Sequence, residues 1–240
     1  MSVATQNILY KNKLMIDDNF GIVIPKVKYV IEHEDDYYAL ISTIAAMPID
    51  LAVQLDDAGI AFEEIDEWDL FVLLFESIRA QDTSQVFGDL DLSKFELAVN
   101  NRTGDAFWED KSTGLKIDRF VHAKIANAIR LIHHLKKDRR TPANPEAKRY
   151  MLERMRKKQK RRKNRTESSQ LEELIIAMVC TEQFKYNFES VLDLSIYQFN
   201  ESVRQIINKT DYDNRMIGIY TGNIDMKKIS QDDLNWLKHK

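Results

Sequence analysis

Residues Lys136–Arg165 read KKDRRTPANPEAKRYMLERMRKKQKRRKNR, and their charge divides the chain. The stretch holds fifteen Lys or Arg against three acids, a local charge of +12. Met1–Leu135 carries twelve basic and twenty-three acidic residues (−11), and Thr166–Lys240 eight and twelve (−4). The total of −3 therefore conceals two acidic blocks joined by a cationic connector. Thr141-Pro142-Ala143-Asn144-Pro145 interrupts helix twice, because each proline pushes its predecessor out of the α region. Glu146–Lys163 has high helix propensity, but its apolar residues are limited to Tyr150, Met151, Leu152 and Met155, and closely spaced like charges repel. The reading is a three-part chain: a mixed α+β domain over 1–135, a basic, partly helical and mobile linker over 136–166, and a helical module over 167–240.

Outward from the connector, composition sets the class. At 240 residues with 44% apolar content the chain can bury real cores. Seven glycines and four prolines disfavour a turn-rich all-β fold and favour helices. The single cysteine, Cys180, excludes an internal disulfide framework and fits a reducing compartment. MSVATQNILYKNK lacks the basic-then-apolar run of a signal peptide, and no apolar run approaches the roughly 18–20 residues that span a bilayer. The expectation is a cytoplasmic protein without membrane contact.

Before the connector, Leu14–Ile16 and Gly21–Ile31 read as a small hairpin. Ile22, Ile24, Val27, Tyr29 and Ile31 are strand formers, and Asp17-Asp18-Asn19 supplies the turn. From Glu34 the period changes. Tyr37, Leu40, Ile41, Ile44 and Ala45 recur at three- and four-residue steps, which predicts an amphipathic helix ending before Pro48. A second helix follows over Ile49–Asp57. Asp66 opens a third, apolar on more than one face through Leu70, Phe71, Leu73, Leu74, Phe75 and Ile78, which marks it as the central core helix. Phe95–Val99, Ala106–Trp108 and Leu115–Ile117, separated by turn sequences, predict a three-stranded antiparallel meander. Asp118 then caps a helix to about Leu135 whose stripe is Phe120, Val121, Ile125, Ile129 and Ile132.

Beyond the connector, Ser169 with Glu172 has capping-box spacing and starts a helix carrying Leu171, Leu174, Ile175, Met178 and Val179. A further helix spans Ser195–Lys209, and Asp213–Tyr220 reads as a separate short one stopped by Gly222. Ser230 and Asp233 repeat the capping-box spacing before a last short helix with Leu234, Trp236 and Leu237. The fold class is mainly α with a small β component.

No residue set states a reaction. His133 and His134 are adjacent, hence about 100° apart on a helix, and cannot jointly clasp one ion; His33, His122 and His239 have no spaced partner. Cys180 falls on an apolar stripe and reads as a buried core residue. Glu63-Glu64-Asp66-Glu67-Asp69 lacks the alternating ligands and central glycine of a calcium loop and reads as a solvated helix start. There is no phosphate loop, nucleophile elbow or dinucleotide fingerprint. The expectation is a protein with no enzymatic activity and no cofactor. The basic block (Arg154, Arg156, Lys157, Lys158, Lys160, Arg161, Arg162 and Lys163) is the candidate contact, either for an acidic protein surface or for nucleic acid phosphates.

Leu194–Leu237, with SIYQFNESVRQI, DYDNRMIGIYTGNIDMKKIS and the closing DDLNWL, resembles the C-terminal part of tail-assembly proteins of bacteriophages infecting Gram-positive hosts. In those proteins a helix with a phenylalanine-asparagine pair, here Phe199-Asn200, precedes a short helix, a glycine turn and a terminal asparagine-tryptophan, here Asn235-Trp236. The resemblance covers about a fifth of the chain. It implies a tail assembly chaperone or minor virion component, acting through protein–protein contacts in the host cytoplasm or the particle. Phe199, Asn200 and Trp236 are then candidate contact residues. The implied partners are other tail proteins, the tape-measure protein among them. Helical grooves receive partner helices through Leu, Phe and Met contacts; Met15, Met178, Met216 and Met226 are candidates for such contacts, and core packing explains most of them equally well. Self-association stays open. The alternative function is a nucleic-acid-binding accessory role for the segment Lys136–Arg165.

Overall fold

The computed structural model describes residues 7–163, 169–230 and 234–237. It is mainly α with a small β component, about 55% helix and 9% strand. The chain opens with the expected hairpin, in which β1 (Lys13–Met15) pairs antiparallel with β2 (Gly21–Val23) and Leu14 faces Ile22. The Asp17 carboxylate closes the turn by accepting from the Asn19 and Phe20 amides at 2.7 and 3.0 Å. Gly21 admits no side chain, because a Cβ there would stand 2.8 Å from the Leu14 carbonyl oxygen.

The extended reading fails past Pro25. Val27–Glu32 is a helix, α1, with Val27 and Val30 fully buried one turn apart. The backbone before it pairs elsewhere: the Val27 amide donates to the Leu194 carbonyl and the Ile196 amide to the Pro25 carbonyl, each at 2.8 Å, forming an antiparallel bridge between Lys26 and Ser195. Strand propensity at Val27, Tyr29 and Ile31 yields here to burial of one helical face.

Next come α2 (Glu34–Ile44), a 3-10 turn at Pro48–Leu51, and α3 (Ala52–Asp57). The fourth helix, α4 (Glu67–Arg79), is capped by Asp66, which accepts from the Trp68 and Asp69 amides. The expected central role of α4 is observed. Trp68, Phe71, Phe75 and Ile78 enter the main core while Leu70 enters a second, smaller one. Leu73 stands 53% exposed. After α5 (Ser84–Phe87), the meander β3 (Glu96–Val99), β4 (Ala106–Asp110) and β5 (Leu115–Ile117) forms in sequence order. Asp118 caps α6 (Arg119–His133), accepting from the Phe120 and Val121 amides at 2.9 Å. Phe120 is not part of the buried stripe. It lies in the first turn, before α6 reaches the core, and is 77% exposed. Inside, His122 stacks on Phe71 (centroids 4.1 Å apart), Phe71 meets Phe75 edge-on, and Phe75 stacks on Trp108 at 3.9 Å.

The basic segment forms α7 (Pro145–Lys163). It is not a detached linker over those residues: Leu152 is buried in the second core among Ile49, Val53, Leu55, Phe62 and Leu70. Residues 164–166 of the expected linker lie outside the described residues. Then come α8 (Gln170–Val179), capped by Ser169, and α9 (Ile196–Tyr220), capped by a reciprocal Ser195–Gln198 box. The two helices expected at 195–209 and 213–220 are one. No Gly or Pro falls between them, and a Lys209–Asp213 ion pair at 2.5 Å spans the junction. Gly222, at φ +75°, follows its end as expected. Cys180 is exposed rather than buried, because α8 ends beside it and the buried stripe stops at Met178. The capping box expected at Ser230–Asp233 falls partly outside the described residues.

Leu171, Ile175, Met178, Phe184, Val191, Leu194, Ile196 and Phe199 share one continuous core with Leu14, Ile22, Tyr37, Phe75 and Ile129. The boundary drawn at 136–166 is therefore crossed by common packing. Among the described residues no helix is long and apolar enough to cross a membrane.

Candidate functional site: the cationic helix

The connector is tied down before α7 begins. Lys137 pairs with Glu67 at the start of α4, and Glu67 also holds Arg130 of α6 at 2.6 Å. Arg130 is buried and donates to the Ala45 carbonyl at 2.6 Å. Burial raises the Glu67 carboxyl, and its two cations overcome that to leave it below the usual range. Asn144 then caps α7 by accepting from the Ala147 amide at 2.8 Å.

One edge of α7 faces the body. Lys148, Leu152 and Arg156 recur every fourth residue and share that edge. Lys148 pairs with Glu63 at 2.5 Å and lies over the Phe62 ring, 5.3 Å from its centroid. Leu152 fills the second core, with Met151 and Met155 half-buried beside it. Arg156 bridges Asp56 and Asp57 of α3 at 2.7 and 2.6 Å. This sorts the expected contact residues: Arg156 points inward and its charge is already answered.

The opposite edge faces solvent. Tyr150, Arg154, Lys157 and Arg161, at steps of four, three and four, form a stripe on the far side of the helix. Tyr150 is 64% exposed, and the Arg154 guanidinium lies 5.9 Å from its ring centroid. Lys158 and Lys160 flank the stripe, also exposed. Among the described residues none of these five cations has a carboxylate partner. Their position in the second half of α7 complements the negative end of the helix dipole, which eases their crowding. The side chains of Arg162 and Lys163 lie outside the described residues.

The other expected contacts separate. Phe199 is fully buried, edge-on to Phe184 at 6.1 Å, so it packs the core and presents nothing to a partner. Asn200 is half-buried on the rim of a cleft of about 820 Å³ between α2 and α8, where Glu34 accepts from the Ser169 hydroxyl and, at 2.9 Å, from the Leu171 amide. Trp236 is half-buried near Lys209, whose ammonium is 5.9 Å from its ring.

Sequence reading missed a second cleft, about 430 Å³, floored by Phe62, Ile65, Trp68 and His122 and rimmed by Arg119, Lys137, Arg139 and Arg140. Burial pushes His122 down to about 4, so its imidazole is neutral at pH 7 and its Nε2–H donates to the Ile44 carbonyl at 3.1 Å. His133 is likewise pushed down to about 3 by burial and shares a 2.9 Å hydrogen bond with the Tyr37 hydroxyl. Both imidazoles are engaged in core packing. Among the described residues no three His, Cys, Asp or Glu side chains are grouped to hold a metal ion.

Residues 157–240 match the family model of the YomV second domain, a phage-derived domain of Bacillus phage SPBc2-like type. The match begins inside α7, takes in α8 and α9, and contains the whole of Leu194–Leu237. It covers roughly a third of the chain and is consistent with a phage protein. No curated protein and no solved structure matches.

Proposed function

We propose that this is a non-enzymatic phage morphogenesis protein that works through protein–protein contacts, with tail assembly as its stage. The resemblance of Leu194–Leu237 to tail-assembly proteins supports the stage, and the phage-derived domain matched over 157–240 supports the setting. The observation that carries the contact role is the outer half of α9. Its buried residues are Ile196 and Phe199, both in the first two turns; beyond them no residue of the helix is buried. The returning chain covers one side, with Ile224 set so closely on Gly218 that a Cβ there would lie 2.5 Å from Ile224 Cδ1. On another side Ile217 and Tyr220, three residues apart, stand 60% and 80% exposed. An apolar helix face of this kind suits a partner helix, met through i, i+3 and i+4 anchors.

Affinity-tagged protein purified from cells producing the phage should carry a tail protein with it, and Ile217→Asp/Tyr220→Asp should release that partner without changing the circular dichroism. Absence of any co-purifying tail protein, together with normal tails after deletion of the gene, would sink this reading.

A further inference from the structure

We infer that the outward face of α7 is a sequence-independent nucleic-acid site that takes phosphodiester backbone. Arg154, Lys157 and Arg161 stand on that face and Lys158 and Lys160 flank it, all exposed and without a carboxylate partner among the described residues. The surplus of acids elsewhere in the chain makes this notable. Asp56, Asp57 and Glu63 are spent on the inward edge, while the outward edge is left unanswered. The seven helical steps from Arg154 to Arg161 rise about 10 Å, over which duplex DNA carries roughly six phosphate charges.

The composition of the face decides between a polyanion and a protein partner. Protein interfaces are anchored by buried aromatic and aliphatic side chains and are depleted of charge at their centres. Apart from Tyr150, the exposed stripe has no apolar side chain, whereas nucleic-acid interfaces are polar and strongly cationic. Tyr150 adds the feature expected of a backbone-tracking surface: an exposed ring, paired with Arg154, on which an unstacked base can lie. The docking through Lys148, Leu152 and Arg156 supplies the folded support that a charge run alone lacks. This site is separate from the apolar face of α9, and either can fail without the other.

The test is fluorescence anisotropy of the full chain with a labelled 20-base-pair DNA duplex and a 20-nucleotide single strand of unrelated sequence. Four phosphates neutralised give a log–log salt slope of about −3.6, so affinity for the duplex should fall roughly 150-fold between 50 and 200 mM salt. Arg154→Glu/Lys157→Glu/Arg161→Glu should lose at least 100-fold at 50 mM with unchanged melting temperature. The charge-matched control Lys11→Glu/Lys28→Glu/Lys124→Glu, placed on other exposed surfaces, should stay within a few-fold of the parent. Tyr150→Ala should weaken the single strand several-fold more than the duplex. No binding at 50 mM overturns the proposal, as does equal loss in the control, which would make net charge the cause. Displacement of the oligonucleotide by poly-glutamate at equal charge concentration overturns it in favour of an acidic protein surface.

Discussion

Replacing Leu152 with alanine probes how α7 is held. Leu152 is 5% exposed and, among the described residues, is the one α7 side chain buried in the second core, with Ile49, Val53, Leu55, Phe62 and Leu70. Leu→Ala at such sites costs about 2–5 kcal/mol. Met151 and Met155 are half-buried alongside and flexible enough to fill part of the space, which sets the value near the lower end, about 2–3 kcal/mol. The flanking pairs of Lys148 and Arg156 are accessible to water and screened, so they contribute little to offset the loss. The helix has almost no other apolar attachment, so the loss should be local. Native-state hydrogen exchange is the assay. Amides of residues 149–160 should exchange about 30- to 150-fold faster in Leu152→Ala, at 1.36 kcal/mol per tenfold. Amides of α4 and α6 should keep their protection. Leu152→Met, close in volume, should leave α7 nearly as protected as the parent. If α7 keeps its protection in Leu152→Ala, or if α4 and α6 lose theirs equally, then α7 is not a separately docked helix and the reasoning is wrong.

Phe199→Ala should destabilise the fold by about 3–5 kcal/mol in urea titration, whereas Asn200→Ala should shift the midpoint little; a small effect at Phe199 would contradict its place in the core. Stability should fall as the medium is acidified from about pH 6.5 toward pH 4. Buried His122 and His133 are held neutral when folded, at about 4 and 3, while their unfolded forms bind protons from 6.5 downward, so the stability they contribute is complete above 6.5 and lost below it. Urea midpoints at pH 7.5 and 5.0 measure this, and equal midpoints would refute the burial of these imidazoles. Cys180 should react fully with a thiol reagent in native buffer, because it is exposed at the end of α8; labelling that requires denaturant would return it to the core.

What could be read from the sequence was what is decided within a turn or two of chain. The Tyr37–Ala45 stripe, the helix start at Asp66, the Asp118 cap, the meander and the stop at Gly222 depend on neighbours in sequence, and the structure shows each. What escaped depends on partners far away. Val27–Glu32 alternates like a strand, and only the bridge to Ser195 shows why it is a helix. The cations of the connector were legible as a cluster. Their sorting into an inward Arg156 and an outward Arg154 requires knowing where Asp56 and Asp57 stand, about a hundred residues earlier. Phe199 was conspicuous in the resemblance, yet its burial follows from Phe184 and the shared core. The 430 Å³ cleft is lined from four separate stretches, and no local motif announces it.

The bridge between Lys26 and Ser195 also bears on how the chain comes to exist at all. It is reinforced by the Lys26–Asp193 pair, at a separation of 167 residues, and by Gln198, which donates to the Leu9 carbonyl at 2.9 Å. During synthesis, Leu14, Ile22 and Val27 leave the ribosome long before Leu194, Ile196 and Phe199 arrive to cover them. Closing so long a loop is slow. The nascent N-terminal part must wait with apolar surface uncovered, so a chain truncated at residue 166 should be a chaperone client rather than a smaller folded protein.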